Sequence, residues 1–306
     1  MPWLLVTISS YLILAVVFLV DKYLLVGPIP NPKVYAFFVG SLGIFVLILV
    51  PFVGFQIPAV EQVVLSLSAG IVFIWALFWF YKGLQIFEAS RVVPAIGGLV
   101  PIFTFLLVYI LSFGKEILSL GQGTAFILLI LGTILVTLEK EKLINLQSLK
   151  ISFLAAFLFS LSFVMRKYVY LAQPFLSGYI WITIGGFLMA LIFLFLPEVR
   201  RELLKIKMNF PKRTAVLFLC NQAGGISANI LQNWAIALAP LVCVAIINAL
   251  QGVQYVFLLM FAVLLSLTQP LWAKRAGLKE EISRKILVQK IIAITLIGMG
   301  LAFLVL

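Results

Sequence analysis

Apolar residues run along this chain in blocks of about 20, separated by short clusters of charge, Gly, Pro and Asn, and blocks of that length match the hydrocarbon core of a bilayer. Ten blocks are predicted as helices: 3–25, 34–53, 62–82, 91–113, 120–138, 150–171, 175–196, 213–238, 240–266 and 286–306. Connections are short except Pro197 to Lys212 and Leu267 to Lys285, which leaves no room for a soluble domain. The predicted fold class is therefore an all-α polytopic membrane protein with ten transmembrane helices. Met1 to Val20 lacks the basic start and small-residue cleavage site of a signal peptide and is read as a helix of the mature chain. From Glu198 to Phe210, Leu203, Leu204, Ile206 and Phe210 alternate with basic residues, as an interfacial amphipathic anchor would.

Composition sharpens this picture. Of 306 residues, 64% are hydrophobic and only 10% are charged, with mean hydropathy +1.23, so water is not the main solvent. There is no His, and Asp21 is the only Asp, which excludes His-containing zinc sites and Ser-His-Asp triads. With every Glu in a loop or at a helix end, the chain is not expected to be an enzyme or to need a cofactor or metal. Cys220 and Cys243 lie in apolar stretches and are expected to pack as small hydrophobes.

The net charge of +12 would suit a nucleic-acid binder, but the basic residues sit between apolar blocks. All but Lys115, Arg166 and Lys167 fall in or beside the odd-numbered loops. The positive-inside rule puts those loops in the cytoplasm and both termini outside, in a multi-pass protein of the cell (cytoplasmic) membrane. Expected partners are the lipid bilayer and a small-molecule substrate, not nucleic acid, and the chain is expected to act as a monomer.

The chain also repeats itself. VFLVDKYLLVGP, from Val17, returns as SFVMRKYVYLAQP from Ser162, pairing Phe18, Lys22 and Tyr23 with Phe163, Lys167 and Tyr168 at a spacing of 145. Asp21 then pairs with Arg166, and Gly40 with Gly185. ASRVVPAIGGLVPIFTFLL, from Ala89, pairs with APLVCVAIINALQGVQYVF, from Ala239, at a spacing of 150, and Gly132 matches Gly298 in the last helix of each half. The boundary falls between residues 1–145 and 146–306. Each half holds five predicted spans, an odd number, so the second must enter the membrane inverted. Inverted repeats around a midplane site permit alternating access.

Ten spans in two inverted halves, with EASRVVPAIGGLVPIFTFLLVYILSFGKE followed by ILSLGQGTAFILLILGTILV, resemble the EamA-type drug/metabolite transporter superfamily. The resemblance runs over nearly the whole chain and implies a carrier of amino acids, other small metabolites, nucleotide sugars or drugs; some relatives flip lipid-linked sugars. It also implies cytoplasmic termini, opposite to the charge count. Small multidrug-resistance relatives place a carboxylate eight residues before a lysine resembling Lys22; those positions here hold Leu14 and, in the second half, Phe159. Transport is accordingly not expected to depend on a mid-membrane carboxylate, and Asp21 is expected to play an end-of-helix role.

Polar side chains inside spans are costly unless they face protein or a watery cavity. In the eighth block Gln222, Gly225, Asn229 and Gln232 fall at helical steps on one face, and in the ninth Asn248, Gln251 and Tyr255 do the same, with Gln254 beside them. The repeat maps Gly98, Pro101 and Thr104 onto Asn248, Gln251 and Gln254. These residues, walled by Trp79 with Trp75 and Tyr81, form the candidate substrate site. The alternative for the amides and small residues is helix-to-helix glue. Lys22, Arg166 and Lys167 lie near helix ends and are expected to snorkel to the interface. The alternative is that Lys22 and Lys167 hold the anionic group of a substrate. The leading expectation is a secondary transporter of a small polar or zwitterionic, amino-acid-like metabolite; the competing one is a flippase for a lipid or lipid-linked sugar, which would use basic residues for a phosphate.

Overall fold

The computed structural model describes residues 1–26, 31–52, 55, 57–87, 89–137, 146–209, 212–268 and 284–305. Among them there is helix and no strand, and nine helices are long and apolar enough to cross a membrane, with a shorter apolar helix at Ala95–Leu111. The chain is an all-α polytopic membrane protein. In chain order the helices are α1 (Pro2–Val26), α2 (Pro32–Leu42) continued by a 3₁₀ segment (Gly43–Phe52), α3 (Val60–Ile86), α4 (Ala89–Leu111), α5 (Leu120–Thr137) and α6 (Leu146–Ala172). They continue as α7 (Phe175–Leu194), α8 (Pro197–Asn209), α9 (Lys212–Leu238), α10 (Cys243–Ala249), α11 (Gln251–Thr268) and α12 (Arg284–Val305).

Local chemistry sets several of these boundaries. α2 begins with Pro32 at its first position, where a missing N–H costs nothing, and the Asn31 side chain accepts from the Lys33 amide at 3.0 Å. α4 ends where Phe113 and Gly114 adopt φ of 54° and 76°, and the Gly114 amide returns to the Tyr109 carbonyl at 2.8 Å. α8 is the amphipathic segment: Val199 is buried, Leu204 is exposed, and Glu198 takes a 2.5 Å ion pair from Lys33 on α2. That hydrogen bond and charge hold the Glu198 carboxyl below its ordinary value. Phe210 lies outside the described residues.

The helices of the two sequence halves interleave. α1 packs on α9 and α11, α3 on α6 and α7, α4 on α6 and α10, α2 on α7, and α5 on α12. Where no solvent drives helices together, close backbone approach supplies the attraction, and small residues permit it. Along α3 and α7 the approach is extreme: a Cβ on Gly70 would overlap the Ile182 carbonyl oxygen, and one on Gly185 would overlap the Leu67 carbonyl. Between α5 and α12 the contacts are reciprocal. Gly132 packs on Ala293 and Ile297, while Gly300 packs on Ala125 and Leu129. A constant shift of 168 (125 to 293, 129 to 297, 132 to 300) exchanges these partners. The contact partner of this kind is thus Gly300, two residues beyond the sequence match Gly298, whose added Cβ would meet nothing within 4 Å.

Lys167 does not snorkel. It is buried, and its Nζ donates to the carbonyls of Ala237 at 3.0 Å and Ala239 at 2.5 Å. These are carbonyls that the end of α9 leaves without intrahelical partners, and a cation is favoured there. Lys167→Met should lower stability by about 1.5–3 kcal/mol, the usual worth of hydrogen bonds to a charged group. Thermal unfolding of the purified variant in detergent checks this; an unchanged midpoint would assign the C-cap to something else.

Candidate functional site

A cavity of about 260 Å³ lies among α1, α2, α3, α4, α6, α7, α9, α10 and α11. All seven polar residues singled out in the second half line it: Gln222, Asn229 and Gln232 from α9, Asn248 from α10, and Gln251, Gln254 and Tyr255 from α11. The α9 residues share a face because steps of seven and three residues return to one side of a helix. Those of α10 and α11 flank an interruption at Leu250, where one span divides into two helices. The break frees backbone carbonyls, and polar groups take them up: Tyr11 donates from its hydroxyl to Ile247 at 2.8 Å, and Thr133 approaches Ala249 at 3.4 Å. Discontinuous helices of this kind are tolerated at membrane depth where they face protein or a cavity.

The first-half counterparts sit elsewhere. Gly98 faces Ile134 of α5, Thr104 accepts from the Asn248 amide at 2.8 Å, and Pro101 is buried outside the lining. α4 is unbroken, so its small-residue face stays packed on α5 and α10, and Ile96 and Val100 reach the cavity instead. A spacing of 150 pairs positions along the chain and does not set the direction a side chain faces. Trp79 is also outside the lining, with the Lys82 ammonium 4.6 Å above its ring, and Trp75 is exposed; of the three aromatics, Tyr81 alone lines the cavity. Lys167 caps α9 away from the cavity, and the Lys22 side chain lies outside the described residues. Leu14 and Phe159 do line it.

Two ionic groups expected at helix ends also line the cavity. Asp21 lies five residues inside the end of α1 and lines the cavity. Its Oδ1 accepts from the Tyr35 hydroxyl and from the Asn221 amide, the latter at 2.6 Å. Tyr35 is in turn set by the edge of Tyr81, 5.0 Å between ring centroids, and by Phe218. Arg166 is only 2% exposed. Its guanidinium lies 4.0 Å above the Phe73 ring and 5.6 Å from Phe163, a stacking geometry that suits a desolvated cation. Its one hydrogen bond among the described residues is long, 3.4 Å from Nη1 to Asn233 Oδ1, and Nε is buried with no partner.

Around Arg166 runs a neutral network. The Tyr170 hydroxyl donates to Asn233 Oδ1 at 2.7 Å, and the Asn233 amide donates to Asn229 Oδ1 at 3.0 Å. Tyr179 approaches that same Asn229 oxygen at 3.5 Å. Phe18, Phe73, Phe80, Phe159 and Phe163 also line the cavity and make an aromatic wall of edge-on, tilted or stacked rings. The cavity therefore combines amides that can bind by hydrogen bonding, ring faces that can stack, a carboxyl at the level of Asn221 on α9 and a guanidinium at the level of Asn233.

No family model and no curated protein matches the sequence. Among 27 matching chains of solved structures, one crystal structure of a protein aligns at 17% identity with a TM-score of 0.65, covering 99% of this chain and 96% of that one. At that identity the likeness shows a shared fold.

Proposed function

We propose that this chain is a secondary transporter of the EamA-type drug/metabolite class, with ten spans in two inverted five-helix halves, moving a small polar or zwitterionic metabolite by alternating access. The observation that carries the reading is one cavity lined by residues from both sequence halves, with seven amide or hydroxyl side chains from α9 to α11 facing an aromatic wall. Small-ligand sites are built this way, mostly apolar with a few convergent polar groups. The like placement of Gly132 and Gly300, one on each helix at the close approach of α5 and α12, supports the inverted repeat. The interruption at Leu250 supports a binding role for that span, since broken helices mark transporter sites. In this reading nothing is chemically changed, and the protein works as a carrier and not as an enzyme.

Purified protein reconstituted in liposomes and loaded with candidate amino acids, peptides, sugars or nucleotides tests this by counterflow of labelled solute. Saturable counterflow of at least one polar metabolite is expected. Uptake no faster than in empty liposomes for every class, from protein that is folded and monodisperse, would falsify the carrier reading.

A further inference from the structure

We propose that the cavity is a receptor for an elongated dipolar solute, which brings a cationic group to Asp21 and an anionic group to Arg166. The proposal deepens the carrier reading and rests on it. Asp21 and Arg166 are the only ionic side chains among the described residues that line the cavity, and they carry opposite charge. Ionisable groups inside a membrane bundle ordinarily pair with one another or mark a substrate path. Here they do not pair: each is held by neutral donors, acceptors and rings, at a different level of the fold.

Both groups keep unused hydrogen-bonding capacity among the described residues. The two hydrogen bonds to Asp21 fall on Oδ1. Oδ2 accepts none from the described residues and remains open to an ammonium. Arg166 has five N–H donors and engages one of them at a long distance, with Nε buried and unpartnered. A planar fork with open donors is the geometry that grips a carboxylate or phosphate. Charge balance points the same way. A dipolar solute neutralises both groups at once, whereas an anion or a cation alone would leave one of them uncompensated in low dielectric.

The fold also sets the length of the solute. Phe73, under the guanidinium, and Tyr81, beside the Tyr35 that holds Asp21, are eight residues apart on α3, about 12 Å of helix rise. Asn233 and Asn221, the partners of the two ions, are twelve residues apart on α9, about 18 Å. Allowing about 3 Å for a hydrogen bond at each end leaves roughly 6–12 Å between the charged groups of the solute. An α-amino acid, whose charges are adjacent, spans less than this. Dipeptides and ω-amino acids of about six to eight carbons span it.

Binding of a graded series to the purified full chain tests the proposal, with thermal stabilisation or calorimetry as the readout. The probes are ω-amino acids from glycine to 10-aminodecanoate, with hexylamine and hexanoate as the singly charged controls. Affinity should peak between six and eight carbons, and both controls should bind at least tenfold more weakly than 6-aminohexanoate. Asp21→Asn should weaken the amino acid and hexylamine while sparing hexanoate; Arg166→Gln should weaken the amino acid and hexanoate while sparing hexylamine. If Asp21→Asn does not fold, Asp21→Glu serves in its place, and the added methylene should move the optimum to a shorter probe; if Arg166→Gln does not fold, Arg166→Lys serves, and it should weaken the amino acid and hexanoate while sparing hexylamine. No binding anywhere in the series, binding that ignores chain length, or variants that bind every probe as the wild type does would each overturn the receptor. Counterflow of 6-aminohexanoate separates the two readings. Specific binding without transport keeps the receptor and removes the carrier, and transport of another solute unaffected by Asp21→Asn and Arg166→Gln does the reverse.

Discussion

Gly70→Leu will leave little folded protein, and Gly185→Leu will do the same. At these positions the helices touch backbone to backbone, so a new side chain meets a carbonyl oxygen that cannot rotate away. α3 must then part from α7, opening one of the main contacts between the early and late helices. Overpacking a core usually costs about 1–3 kcal/mol, and the rigid neighbours here put the expected loss at the top of that range or above it. Gly123→Leu and Gly298→Leu are the controls, because a Cβ at either position meets nothing within 4 Å. Those two should stay within about 0.5 kcal/mol of the wild type. Size-exclusion profiles and unfolding midpoints in detergent separate the pairs, and a Gly70→Leu chain as monodisperse as Gly123→Leu would mean that α3 and α7 are not packed as described.

Gln251→Leu and Gln222→Leu should reduce transport about tenfold or more, equivalent to roughly 1.4 kcal/mol of binding, with unfolding midpoints close to the wild type. Both side chains face the cavity, where each can satisfy water or solute. Thr104→Val should behave in the opposite way. It removes the acceptor of a buried 2.8 Å hydrogen bond from Asn248, so stability falls by about 1–3 kcal/mol. Cysteines at Asn229 and Gln251 should react with water-soluble thiol reagents and be protected by solute, whereas a cysteine at Thr104 should stay unreactive. Equal loss of stability in all three Leu and Val variants, with full transport from what folds, would make the polar stripe packing glue.

What could be read from the sequence depended on which coordinate carried the signal. Each apolar block overlaps a helix, because span length is written directly in the run of residues; edges differ by up to about four positions, as at 62–82 against Val60–Ile86. The α9 stripe was legible because Gln222, Asn229 and Gln232 share a face by spacing alone. Gly98, Pro101 and Thr104 lie outside the cavity lining because a spacing of 150 pairs positions along the chain, while facing depends on the break at Leu250, which no proline announces. Trp79 was included on residue type, with no spacing to support it. Asp21 and Arg166 were discounted for lying near helix ends. Their role depends on Asn221, Tyr35, Phe73 and Asn233, four partners distant in sequence that only the assembled bundle brings together.

The two donors that hold Asp21 enter the membrane at different times. Tyr35 follows the carboxyl by 14 residues and Asn221 by 200. At a synthesis rate of about 5–20 residues per second, α9 emerges roughly 10–40 s after α1. During that interval an acid inside the bilayer has one of its two eventual donors and none of its packing against α9. α1 must therefore pass through the insertion machinery on hydropathy alone. Its placement becomes firm only when the second half is made, so the order of chain growth and the order of structural commitment run in opposite directions.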